Sequence, residues 1–167
     1  MDDADGEKIR ETQRLLGQAI ISLSALDMLL GHLFGRLGMP FDVAQSIYLS
    51  IDGIAKRRQM VDAVVKLHLK TEPPLLREWD AIYGEHTDLF AKRNRLLHDA
   101  WAFDAQAGKF SLLRQMPPNK FNSNFIRDVT DDELEDVTVR ANALTQRMVR
   151  FFQSLIERDK AALAAAN

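Results

Sequence analysis

Arg93, Asn94 and His98 stand together in the run Arg93-Asn94-Arg95-Leu96-Leu97-His98, and these side-chain types suit work on a phosphodiester. A guanidinium grips non-bridging phosphate oxygens with paired N–H bonds. An imidazole changes charge near neutral pH and so passes protons, while a carboxamide orients a hydroxyl or the ring. Lys92, Arg95, Arg58 and Trp101 join them as candidate phosphate- or RNA-binding residues. On an ideal helix, five steps of about 100° put Arg93 and His98 roughly 140° apart, whereas Asn94 and His98 share a face. Arg93 and His98 therefore converge only if the helix ends or distorts near His98, or if a second copy supplies the missing half by twofold symmetry.

Other familiar chemistry is missing. The chain has no glycine-rich phosphate loop, no His-Glu-x-x-His and no nucleophile elbow. Its zero cysteines remove disulfides, thiol nucleophiles and Cys-ligated metal centres. The four histidines, His32, His68, His86 and His98, are scattered, so no metal site and no cofactor is expected.

The elements that must carry the motif read as helices. A chain of 167 residues is expected to be one compact domain with a core of its own. Leu16, Ala19, Leu23, Leu26, Leu30, Leu33 and Leu37 recur three and four apart, the period of a helix packed along its length. Gly31 and Gly35, one turn apart on it, admit a close neighbour, and the reading favoured is packing within the chain rather than a dimer motif. A short helix is expected over Val43–Ser50 and another from about Ile54 to Leu69. After Pro73 and Pro74 comes the helix of the motif, its seam running through Leu75, Trp79, Ile82, His86, Leu89, Arg93 and Leu96. Trp101, Phe103 and Ala105, then Phe110 and Leu112, follow period two around Ala107-Gly108 and predict a small β-hairpin. Pro117-Pro118 and the run Asn119–Asn124 predict a loop. Thr130 with Glu133 forms a capping box ahead of a last helix carrying Leu134, Val137, Ala141, Leu144, Met148, Phe151 and Leu155. The fold class expected is all-α, an antiparallel bundle of four to five helices with the hairpin inserted before the last helix, and with residues 1–6 and 161–167 free to fray.

The formal charge of -2 excludes a uniformly basic nucleic-acid coat, yet the charges are segregated. From Gly53 to Lys70 the bases Lys56, Arg57, Arg58, Lys66 and Lys70 meet only Asp62, and from Ala105 to Arg127 the bases Lys109, Arg114, Lys120 and Arg127 meet no acid. Acids gather in Asp2–Glu7 and Asp128–Asp136. Segregation of this kind allows one basic face for a phosphate backbone, and equally allows a set of solvated helix faces.

An Arg-Asn-x-x-x-His string closing a long helix in a small all-α chain resembles the signature of the HEPN superfamily (higher eukaryotes and prokaryotes nucleotide-binding). The resemblance implies a homodimer whose motif helices face each other across a cleft and, in active members, metal-independent RNA cleavage of toxin or defence type. Arg93 would then stabilise the charged phosphate, His98 would act as acid or base, and Asn94 would support their geometry. An antitoxin or other regulatory protein is the partner such a protein implies. The string departs from the family at Asp99, where glycine is common, and a carboxylate there repels phosphate. Two alternatives stay open. One is a catalytically inactive RNA- or nucleotide-binding module, in which Arg93 snorkels from the apolar seam and His98 caps its own helix. The other takes Leu96-Leu97-His98-Asp99 as resembling the His-Asp doublet of metal-dependent phosphohydrolases, with His68 and Asp159 as partners by order alone. The acidic N-terminus lacks the basic start of a secretory signal, and Asp27, His32 and Arg36 interrupt the apolar first helix, so the expectation is a cytoplasmic chain with no membrane span.

Overall fold

The structure is a computed structural model that describes residues 3–37, 39–113 and 126–165. The loop expected around Pro117-Pro118 and Asn119–Asn124 lies outside the described residues, as does Gly38. Among the described residues the fold is mostly helical. Helices α1 (Asp3–Arg36), α2 (Phe41–Ser50), α3 (Ile54–His68) and α4 (Pro73–His98) lead to strands β1 (Ala100–Asp104), β2 (Lys109–Leu113) and β3 (Ile126–Val129), and helix α5 (Asp131–Ala165) follows.

The chain forms two compact units, one of residues 1–23 and 87–141, the other of residues 24–86 and 142–167. The first unit holds the end of α4 and a three-stranded antiparallel sheet of order β1-β2-β3. The expected hairpin is present: Trp101 opposes Leu112 and Phe103 opposes Phe110. Its turn is built by Asp104, whose Oδ1 accepts N–H bonds from Gln106 at 2.9 Å and Ala107 at 3.1 Å, and by Gly108 at φ +61°, a left-handed position that favours glycine. β3 pairs the other edge of β2, with Phe110 opposite Val129 and Ser111 opposite Asp128. Leu15, Leu96, Leu112, Val129 and Leu134 form the buried cluster of this unit, and Leu16, Ile20 and Trp101 pack against it.

α5 opens on the expected cap: the Glu133 N–H donates to Thr130 Oγ1 at 3.2 Å, satisfying one orphan donor of the first turn. The reciprocal half is diverted, because the Glu133 carboxylate pairs with Arg127. Lys8 and Thr12 on α1 both donate to Asp131. Burial works against the Asp131 carboxylate, but these two bonds outweigh it and hold its pKa below the ordinary value.

In the second unit, Trp79 of α4 is buried beside Phe151 with ring centroids 5.8 Å apart, and its indole N–H donates to Asp62 Oδ1 at 2.8 Å. The Tyr48 hydroxyl donates to Asp27 Oδ1 at 2.5 Å, and burial together with that bond pushes its pKa up. The two glycines of α1 serve packing inside the chain. A Cβ on Gly31 would stand 3.2 Å from the Tyr48 ring, and one on Gly35 only 2.8 Å from the Phe41 ring. Among the described residues α1 is the one helix long and apolar enough to cross a membrane, by length and composition alone. Its Leu23, Leu26, Leu30 and Leu33 are buried within the protein.

Candidate functional site

The motif occupies the last turn and a half of α4. The helix ends at His98, where the Asp99 N–H still donates to the Arg95 carbonyl at 3.0 Å, and the chain then extends into β1. The last carbonyls of a helix lack intrahelical partners. Here the Trp101 indole N–H donates to the Leu96 carbonyl at 2.9 Å, so tryptophan, and not His98, does the capping. Trp101 is half-buried against the unit's cluster, edge-on to Phe110 with centroids 6.0 Å apart. Its N–H and much of its ring serve the fold.

Arg93 is also half-buried, its guanidinium carbon 5.7 Å from the centroid of the Phe90 ring. Its Nε is buried with no hydrogen-bond partner. Asn94, Arg95 and His98 are exposed. Asn94 and His98 lie one turn apart on a common face, while Arg93 leans over Phe90 on the packed side, as their helical spacing requires. Among the described residues no hydrogen bond, ion pair or ring contact joins Arg93 to His98, and His98 has no such partner at all.

The neighbouring charges are largely taken. Lys92 donates to Asp136 at 3.3 Å, and Arg140 approaches the same carboxylate at 3.9 Å. Lys92, Arg95, Arg127 and Arg140 line an open depression of about 660 Å³ together with Asp88, Asp132, Glu133 and Asp136. Acids match bases there, so the depression offers no net positive field. Lys109 lies 3.7 Å from Asp128 and Arg127 pairs with Glu133, while Arg114 and Lys120 fall outside the described residues. These acidic partners could not be assigned from the chain, because Lys92 and Asp136 meet across 44 positions. The only advance signal is the cluster of acids from Asp128 to Asp136.

Arg58 belongs to the second unit, on α3. It is half-buried, its guanidinium carbon is 5.6 Å from the Tyr83 ring centroid, and its Nε is buried without a hydrogen-bond partner. Its charge bears on His86, which is 1% exposed. Within the same basic stretch Arg57 pairs with Asp27 at 3.5 Å, and Lys66 with Asp62 at 3.1 Å and Asp80 at 3.2 Å.

His68 and Asp159 both contact Arg158, which sets a guanidinium where a divalent cation would need to bind. Among the described residues no three His, Asp or Glu side chains gather as a metal site. No family model matches the chain, and neither a curated protein nor a solved structure matches it.

Proposed function

We propose that the chain is a HEPN-like helical bundle that acts as a homodimer on RNA, with the end of α4 as its working surface. The observation that supports this most is the state of His98: it is exposed and, among the described residues, without a partner, and Trp101 relieves it of the capping role. A histidine with no structural duty at a helix end, one turn from an exposed asparagine and three residues from an exposed arginine, is available for proton transfer. In the reaction proposed, His98 takes the proton of a ribose 2′-hydroxyl, the 2′-oxygen attacks the adjacent phosphorus to close a 2′,3′-cyclic phosphate, and the 5′-oxygen leaves and takes a proton from water. Arg93 neutralises charge on the non-bridging oxygens through the nitrogens left beyond its sealed Nε. Because Arg93 and His98 occupy different faces of one helix, each site draws them from two copies across the twofold axis.

The separation of Arg93 from His98 within one chain also favours a second reading, a module that binds RNA without cutting it. Incubating the purified chain with single-stranded RNA in chelator distinguishes the two. The nuclease reading expects cleavage in chelator and a loss of about a hundredfold or more in rate for His98→Ala. Arg93→Lys, which keeps the stem over Phe90, is expected to lose activity while keeping its melting temperature. RNA bound but uncut, with affinity reduced by the same substitutions, selects the binding module. RNA neither bound nor cut, or cleavage indifferent to both substitutions, overturns the assignment.

A further inference from the structure

Two hollows of the second unit adjoin along α5 and have no connection with the motif. The smaller, about 310 Å³, lies just past the end of α1 and is lined by Leu37, by the buried Leu155 and by the exposed Leu163 of α5. The larger, about 690 Å³, is walled by Leu29, Phe41 and Val149. Arg36, Phe152 and Ile156 line both, so the two form one trough. Its far wall exists because residue 35 is glycine: a Cβ there would come within 2.8 Å of the Phe41 ring. Phe41 instead lies against α1, with the His32 ring stacked on it at 5.4 Å and 20°.

The charge at the trough is one-sided. Its lining contains a single acid, Asp159, and Arg158 already neutralises it, donating from Nε at 2.9 Å and from a terminal nitrogen at 2.5 Å. Arg36 and Lys160, which line the smaller hollow, have no acidic partner among the described residues. Free cations beside an apolar wall concentrate anions, and an exposed apolar surface gains by being covered. A bare inorganic anion would leave the floor in water, and a neutral hydrocarbon would leave both cations unused. A ligand with an apolar chain and one terminal negative charge satisfies both, and the combined space lies at the upper end of the roughly 300–1,000 Å³ usual for ligand pockets.

We infer that this trough binds a single-chain amphiphilic carboxylate, its head between Arg36 and Lys160 and its chain along Phe152 and Ile156 toward Phe41. The test is calorimetric titration of the full chain with decanoate below its micelle concentration, with decanol and decyltrimethylammonium as controls. Decanoate is expected to bind one to one and raise the melting temperature, decanol to bind more weakly, and the cation to bind least. Arg36→Gln with Lys160→Gln should weaken decanoate about fivefold or more and leave decanol unchanged. Because both side chains are exposed and unpaired, the ligand-free melting temperature should hold. Val149→Gln, on the wall, should weaken decanoate and decanol alike. Failure to bind decanoate, equal affinity for all three probes, or a double variant with wild-type affinity overturns the inference. So does decanoate binding only while it splits an assembly of the chain, which would assign the trough to a second copy.

Discussion

His86 makes the stability of the protein depend on pH in a narrow and calculable window. It is 1% exposed on α4. Burial first, and the nearby Arg58 guanidinium second, push its pKa from the ordinary 6.5 down to about 3. The unfolded chain binds a proton at His86 near the ordinary value, and the folded chain declines it until about pH 3. Stability is therefore undiminished above the ordinary pKa and is lost as pH falls between the two. Each pH unit inside that window costs about 1.4 kcal/mol, so going from pH 6.5 to pH 5 costs about 2 kcal/mol, a large part of a typical total of roughly 5–15 kcal/mol. The span from pH 6.5 to pH 5 lies above the ordinary values of Glu11 and Asp131, both held lower still in the folded chain, so His86 is read there without them. Urea unfolding followed by far-ultraviolet circular dichroism across this range measures it. His86→Leu should flatten the dependence, and Arg58→Gln should soften it by removing the second cause. The comparison is of slopes, so any packing cost of leucine cancels. Equal slopes for wild type and His86→Leu would refute the claim that a buried neutral histidine sets the dependence.

Three further outcomes are expected. Trp101→Phe removes the cap on the Leu96 carbonyl and should cost about 1 kcal/mol, read as a loss of about 3 °C in melting temperature; no change would mean that water replaces the indole. Gly35→Ala drives a Cβ into the Phe41 ring and should cost about 1–3 kcal/mol in chemical denaturation, while Gly17→Ala, where nothing lies within 4 Å, should not destabilise. Asp136→Asn releases Lys92 and should tighten RNA binding about two- to threefold at low salt, with the gain vanishing at high salt; unchanged filter-binding affinity would remove Lys92 from the RNA-contacting surface.

Long helices were legible because their signal is redundant. All seven apolar positions assigned to α5, from Leu134 to Leu155, are buried, since a period sustained over six turns tolerates no other face. On α1 the line is displaced at its ends: Leu15 and Phe34 are buried where Leu16 and Leu37 are only partly so, a slip inherent in reading 3.6 as alternating threes and fours. The hairpin was visible from its alternation and its glycine. β3 was not, because Arg127 and Asp128 break the alternation in a segment of four residues. Its place is dictated by the open edge of β2, and Asp128 is anchored by Ser111 Oγ at 2.9 Å. A short strand reads as loop until its partner is known.

The candidate site shows the same division between local and long-range information. Helical spacing alone separated Arg93 from His98, and the seating of Arg93 over Phe90 agrees with it. The charge map could not be carried through in that way, because a surplus of bases along the chain says nothing about which acids the fold delivers. Lys92, Lys109 and Arg127 acquire Asp136, Asp128 and Glu133, all from β3 and the start of α5. These three bases are in this way neutralised, while among the described residues Arg95, beside His98, has no acidic partner. Any RNA that reaches the end of α4 must then either compete with these carboxylates for their bases or rely on a few contacts at Arg93, Asn94, Arg95 and His98. Exposed ion pairs contribute only about 0–1 kcal/mol each, so a phosphate backbone can displace them. Under the function proposed above, such displacement would make RNA binding more sensitive to acid substitutions on α5 than to the net charge of the chain.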